Sequence, residues 1–308
     1  MRIDVEFPGF GGVTLRGWLY RPEGQAVPEV EPALQPAVVM AHGFSATRHM
    51  GLAAFAEVFS AAGFAVLVYD HRGLGDSDGE PRQEINPWAQ SRDYRYALGW
   101  LAQQPGIDPE RLGIWGSSFS GGEVIVVGAV DPRVKVVIAN VPFAGLVEDP
   151  SAPLDERFAA MRSALEDESG SGPADTTDPP IGPMSVIIPT GTDAGARAFL
   201  PQPESTLWFE TVGGPGSGWR NTFTLRGLAG PQEFLPAVAV PFLAPRPLLM
   251  VVADGDRVAP AELARTAYEM AAEPKQLETI EGDHFVPYSG AALEQAATVM
   301  RDFLLKYL

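Results

Sequence analysis

Between residues 35 and 142 the sequence alternates short apolar runs with longer stretches of helical spacing, and this alternation restricts the fold more than any other feature. "PAVVMAHG" is a continuous apolar run ending in glycine, the pattern of a strand buried on both faces. "MGLAAFAEVFSAAG" comes next with helical spacing and a glycine stop, and "FAVLVYD" is a second buried strand. "NPWAQSRDYRYALGWLAQQPG" sets Trp88, Tyr94, Leu98 and Leu101 at helical intervals. "RLGIWG", "FSGGEVIVVGAV" and "VKVVIANVP" then read as strand, helix and strand. Such a succession implies a mostly parallel central sheet with helices on both faces. Ahead of it, "RIDVEF" and "VTLRGWLYRP" flank "PGFGG" and predict an N-terminal hairpin.

The alternation breaks after residue 143. Residues 144–240 are rich in Pro and Gly, with one helix predicted over "PLDERFAAMRSALEDE". It resumes with "RPLLMVVAD", "PAELARTAYEMAAE", "KQLETIEG" and "GAALEQAATVMRDFLLKYL". The expectation is one α/β domain built from residues 1–143 and 241–308, with a lid or cap inserted at 144–240, since long irregular segments in compact proteins usually serve function.

Composition narrows the function. The 308 residues are 45% hydrophobic, enough for a full core. There is no cysteine, which excludes disulfides, a thiolate nucleophile and Cys-ligated zinc. The formal net charge of −17 repels phosphate backbones, so nucleic acid is not an expected partner. No basic-then-apolar leader opens the sequence and no apolar run reaches the length of a membrane span. The expectation is a soluble cytoplasmic protein that does not engage membranes; oligomeric state leaves no mark in the sequence.

The chemistry concentrates in "GIWGSSFSGG", where a buried strand turns directly into a buried helix. A sharp strand-to-helix turn strains its central residue and needs small neighbours two positions away on each side. Around Ser118 these are Gly116 and Ser120; around Ser117 they would be Trp115 and Phe119, which are too large. A turn centred on Ser120 would lie inside the helix. Ser118 is therefore the candidate nucleophile, beside a helix N-terminus that favours developing negative charge.

A serine needs a base, and the base an orienting carboxylate. Of the four histidines, His284 in "EGDHFVPY" lies just past the last predicted strand and leaves the same sheet edge as Ser118. His42 ends a strand, His71 reads as a polar loop residue, and His49 as a substrate contact or a solvated side chain. "VVADGDRVAP" offers Asp254, directly off its strand, and Asp256, at the turn before the next helix; Asp256 is favoured. For the oxyanion, Phe119 supplies one backbone N–H, and Phe44 or Ser45 in "HGFSA" the other, with Gly43 letting that backbone approach closely.

The motifs "MAHGFSA", "YDHRGLGDSDGEPR", "GIWGSSFSGG", "VVADGDRVAP" and "EGDHFVPY" resemble, in order, those of the α/β-hydrolase superfamily. The stretch up to "GEPR" together with "GSSFSGG" looks like the dienelactone-hydrolase and acetylxylan-esterase-like branch, which includes thiohydrolases and polyketide transferases. The second elbow glycine of that pattern is replaced by Ser120. The resemblance implies an α/β-hydrolase fold with a lid insertion, a triad of Ser118, Asp256 and His284, and an oxyanion hole at Phe44 and Phe119. It implies no cofactor. Peptidases on this fold usually carry an additional domain that the sequence does not suggest.

The resulting expectation is a serine hydrolase cleaving carboxylic esters or thioesters of small molecules. An acyl or polyketide transferase using the same triad is the alternative, and a non-catalytic binding protein on this fold a lesser one. Trp208 and Trp219, with Phe209, are expected either to contact substrate or to anchor the lid. "GDSDGE", with Asp76, Asp78 and Glu80, has only part of a calcium-loop spacing, so no metal is expected.

Overall fold

The computed structural model describes residues 1–22, 34–145, 153–167, 181–192, 195–226 and 234–308. Parts of the segment 144–240 thus lie outside the described residues.

The chain opens with β1 (Arg2–Pro8) and β2 (Thr14–Tyr20), paired antiparallel as the predicted hairpin. β3 (Gln35–Ala41), α1 (Leu52–Ala61) and β4 (Ala65–Tyr69) come next. A two-residue strand, β5 (Glu84–Ile85), precedes α2 (Pro87–Ala102). The Asn86 side chain caps α2 by accepting from the amides of Trp88 and Ala89, with Pro87 in the first helical turn. Then come β6 (Ile107–Ser117), α3 (Phe119–Val130) and β7 (Val134–Asn140). The inserted region contributes α4 (Leu154–Glu166), β8 (Ile181–Met184), α5 (Pro203–Val212) and β9 (Phe223–Leu225). β10 (Leu248–Ala253), α6 (Ala261–Glu269), β11 (Lys275–Ile280) and α7 (Gly290–Tyr307) complete the chain.

Eight strands form the central sheet in the order β1-β2-β4-β3-β6-β7-β10-β11. β2 joins β4 antiparallel, and every pairing from β4 to β11 is parallel. The runs in β4 and β10 are buried throughout, as strands covered on both faces must be. Val38, Met40, Val66 and Val68 face α1 and α7. Val39, Ala37 and Leu67 face the opposite layer, where Trp88, Tyr94, Leu98 and Leu101 of α2 and the whole length of α3 are buried. The architecture is a largely parallel sheet flanked by helices, with an inserted helical region.

Strand order reverses direction between β3 and β6, because the chain runs from β3 to its neighbour β4 and only later to its other neighbour β6. The loops leaving the carboxyl ends of these two strands diverge there and open a crevice. The inserted region is tied to the rest of the fold at several points, among them the Ser217 carbonyl, which accepts from the Thr47 hydroxyl, and Glu204, which pairs with Arg257. β9 pairs in parallel with β5 and antiparallel with β8, forming a small second sheet. The turn Pro236–Val238 also packs on α3, and the Ala237 amide bonds to the Ala144 carbonyl.

Candidate active site

Ser118 stands between β6 and α3 with φ 56° and ψ −116°, a backbone conformation few non-glycine residues adopt. The turn is tight enough that a Cβ on Gly116 would lie 2.1 Å from the Ser120 carbonyl oxygen, so that position must be glycine. The Ser118 amide bonds to the Asn140 carbonyl at the end of β7, which holds the turn against the sheet.

The three serines of the stretch have different surroundings. Ser117 is buried; its hydroxyl is engaged by the Asn140 side-chain amide at 3.0 Å and by the hydroxyl of Tyr288. Burial pushes the Tyr288 hydroxyl up to about 12, so it remains a neutral donor or acceptor. Ser120 is buried within α3. Ser118 Oγ instead lies 2.9 Å from His284 Nε2. His284 Nδ1 lies 2.6 Å from Asp256 Oδ2. The other oxygen, Asp256 Oδ1, accepts from the amides of Val258 and Ala259 at 2.8 and 2.9 Å, which fixes the carboxylate. Asp254 accepts from the Gly282 amide at 2.9 Å and joins the β10 and β11 loops. Asp256 is only 6% exposed and His284 only 2%, so the pair is shielded from solvent.

Gly43 lies directly against the serine: a Cβ there would fall 2.8 Å from Ser118 Cβ. Ser45, two residues on, takes positive φ and turns the chain away. Among the described residues, the Phe44 N–H meets no acceptor. The Phe119 N–H is one of the orphan donors at the start of α3. Phe119 directly follows Ser118, and Phe44 directly follows Gly43, which packs on that serine.

A cavity of about 200 Å³ opens over these groups. Its walls are mostly aromatic. Phe44 stacks on Phe199 at 4.7 Å, and Trp208 on Phe285 at 4.9 Å. Phe119, Phe143 and Tyr288 continue the surface, with Gln202 the principal polar side chain apart from Ser118 and His284. No lysine or arginine is among the described residues lining it. The space is smaller than the roughly 300–1,000 Å³ of drug-sized ligand sites.

Trp208 is thus on the cavity wall, but Trp219 is not. Its ring packs behind Phe209 at 5.1 Å and covers Gly213, so it supports the wall from outside. Phe143, Phe199 and Leu200 line the cavity although no motif contains them, and Val258 and Tyr288 line it from within the motifs read for Asp256 and His284. The composition of "RAFLPQPESTLWFE" hints at an apolar surface, but nothing in its spacing ties it to Ser118.

The remaining histidines are elsewhere. His49 packs edge-on to Trp18 at 4.7 Å and lies 3.8 Å from Asp76, away from the cavity. His71 is not the polar loop residue that its sequence neighbours suggest. It is 1% exposed, and burial holds its pKa well below the ordinary histidine value. Asp76 and Asp78 are occupied by arginines, Arg48 and Arg16 respectively. Among the described residues no helix is long and apolar enough to cross a membrane.

Comparison with known proteins places this arrangement among relatives. The X-Pro dipeptidyl-peptidase (S15) family matches residues 11–157. The quorum-quenching protein AidA of Acinetobacter baumannii is 32% identical over 304 residues, covering 98% of this chain and 94% of that protein. Thiohydrolase aneE of Aspergillus aculeatus is 33% identical, covering 94% of this chain and 89% of that one. Among solved structures, the α/β hydrolase GrgF of Penicillium sp. superimposes with a TM-score of 0.74 at 25% identity, over 100% of this chain and 99% of its own. A Penicillium relative of that name is called a polyketide transferase and is 28% identical over 100% of this chain and 97% of its own.

Proposed function

The chain belongs to the α/β-hydrolase superfamily, and from that membership we propose that it is a serine hydrolase cleaving carboxylic ester or thioester bonds through an acyl-enzyme on Ser118. The observation that carries the reading is the continuous chain Ser118 Oγ, His284 and Asp256, at 2.9 and 2.6 Å, beneath an apolar cavity.

In this mechanism Ser118 Oγ attacks the acyl carbonyl carbon while its proton passes to His284 Nε2. Asp256 accepts from Nδ1–H, so the ring presents its unprotonated nitrogen to the serine and the imidazolium is stabilised once formed. The carbonyl oxygen becomes an oxyanion and takes hydrogen bonds from the amides of Phe44 and Phe119. As the tetrahedral intermediate collapses, the bond to the leaving alcohol or thiol breaks and the imidazolium returns the proton to it. Water, deprotonated by the same histidine, then releases the acid and regenerates Ser118.

The acyl group occupies the aromatic cavity. The described part of the inserted segment acts as its cap, because Phe199, Leu200, Gln202, Trp208 and Phe209 all come from it. With no cationic side chain on the described walls, a neutral acyl group suits the space better than a highly anionic one. Substrate is thus a small organic ester or thioester.

A transferase reading shares every step but the last, in which an alcohol replaces water as the second nucleophile. The Penicillium relative's name favours keeping it in view. Product analysis with and without an added alcohol acceptor separates the two.

The first experiment is labelling with an alkyl fluorophosphonate and peptide mass spectrometry. Wild type is expected to be modified at Ser118 and Ser118→Ala not at all. A folded wild type that takes no label would overturn the proposal and return the binding-protein alternative.

A further inference from the structure

Beneath the elbow lies a cluster of polar groups that the triad does not use. His42, His71, Ser120 and Glu123 are each no more than 1% exposed. Ser120 is at the hub, on the first turn of α3, two residues past the nucleophile. Its Oγ lies 2.6 Å from the His42 carbonyl oxygen, 2.8 Å from Glu123 Oε2 and 2.8 Å from His71 Nε2.

A hydroxyl has one proton to give and two lone pairs to receive with. Of the three neighbours, only the His42 carbonyl cannot donate. An arrangement that satisfies the Ser120 hydroxyl therefore sends its proton to that carbonyl. His71 then donates through Nε2–H, and Glu123 through a protonated carboxyl. The buried surroundings agree with this all-neutral assignment. Burial pushes the Glu123 carboxyl up to about 8, helped by the nearby charge of Asp93 on α2. Burial likewise keeps His71 and His42 neutral. His42 Nε2 accepts from the His71 amide at 3.2 Å while Nδ1 faces the Gly43 carbonyl at 2.9 Å, so its ring proton is on Nδ1.

The His42 carbonyl matters because of the two residues after it. Gly43 packs against Ser118, and the next residue, Phe44, carries the N–H assigned above to the oxyanion. We propose that Ser120 is a positioning residue whose single proton, kept on the His42 carbonyl by donation from Glu123 and His71, locks the start of α3 to the strand end that carries the Phe44 amide. Ionised Glu123 can no longer donate. It attracts the Ser120 proton to itself, and the His42 carbonyl loses that donor. The amides of Phe44 and Phe119 then lose their fixed spacing. The groups facing Glu123 are Ser120 on its own helix, His71 after β4 at 3.4 Å, and Asp93 and Tyr94 on α2 and Tyr69 on β4. Asp93 is itself paired with Arg72 at 2.6 Å. This inference rests on Ser118 being the nucleophile.

The test is the second-order rate at which an alkyl fluorophosphonate modifies Ser118, measured from about pH 6 to about 9.5. It is run on folded wild type, Glu123→Gln, Ser120→Ala and Ser120→Thr. The wild-type rate is expected to fall as pH rises through about 8. Glu123→Gln, whose amide N–H donates at every pH, is expected to lose that fall. Ser120→Ala is expected to react on the order of tenfold more slowly at neutral pH, short of the ~100-fold or more that loss of an oxyanion donor costs. Ser120→Thr, which keeps the hydroxyl, recovers the rate. A Glu123→Gln profile that still falls like wild type overturns the proposal, even if Ser120→Ala does not fold. So does a Ser120→Ala protein that reacts at the wild-type rate. Wild type that is unreactive at every pH overturns the hydrolase reading and this inference with it, whereas a reactive wild type with an unaltered Glu123→Gln profile overturns this inference alone.

Discussion

At the scale of single residues, three closely spaced hydroxyl groups acquire different chemistry from their surroundings alone. Ser117 is held by Asn140 and Tyr288, Ser120 by the buried cluster around His42 and Glu123, and Ser118 by the catalytic-type imidazole of His284. The steric argument from Gly116 singles out the middle serine in the sequence because it depends only on neighbours two positions away. In the proposed mechanism Asp256 has a more specific job than supplying charge. One of its oxygens is fixed by two backbone amides, which leaves the other at 2.6 Å from His284 Nδ1, where an N–H···O bond favours the tautomer with Nε2 unprotonated. Asp256→Asn would present an N–H or a weak acceptor to Nδ1 and favour the wrong tautomer. Ester turnover, with p-nitrophenyl acetate as probe, is expected to fall by ~10⁴-fold in kcat. A fall of less than tenfold would mean that the carboxylate does not orient the base.

At the scale of elements, the segment between β3 and α1 is pinned by a buried ion pair. Arg48 bridges Asp70, at the end of β4, and Asp76 in the loop beyond it, and its guanidinium lies over the Trp18 ring at 4.9 Å. Asp70 also accepts from the Arg48 and Asp76 amides at 2.7 and 3.0 Å. Arg48→Met would leave the fully buried Asp70 without its cation. Equilibrium unfolding in urea should then show a loss of ~3–5 kcal/mol; a change within about 0.5 kcal/mol would show that the backbone amides suffice. The same loop shows why acidic residues alone do not identify a metal site. "GDSDGEPR" has a metal-loop flavour when only its carboxylates are counted, yet its partners Arg16 and Arg48 are remote in sequence. The long elements were readable because apolar periodicity is a local property. β5, β8 and β9 were not, since strands of two to four residues carry no period. α5 was hidden for a related reason: only Ser205 and Phe209 of its residues are buried, so it shows little amphipathic pattern.

At the scale of the whole molecule, the parallel sheet does the gathering. Ser118, Asp256, His284 and Phe44 come after four different strands but leave the same edge, which is why their order along the chain was informative before any geometry was known. The cavity has no such linear signature. Its walls combine the loop after β3, the start of α3, α5 and the segment before it, and the turn after His284, all brought together by packing between side chains far apart in sequence. The buried cluster around Ser120 was hidden for the same reason, its members coming from the ends of β3 and β4 and from α3.

The two aromatic stacks are not equivalent. Trp208 and Phe285 stand on the side of His284, the Phe285 ring 5.0 Å from the imidazole, while Phe199 stacks on Phe44, whose amide is the proposed oxyanion donor. A substrate carbon bearing four different groups next to the carbonyl must turn one substituent to each side, and its mirror image must exchange them. The site is therefore chiral in its selection as well as in its construction. Racemic p-nitrophenyl 2-phenylpropionate should be consumed one enantiomer ahead of the other, and equal consumption of both would show that the walls do not hold the acyl group in one orientation.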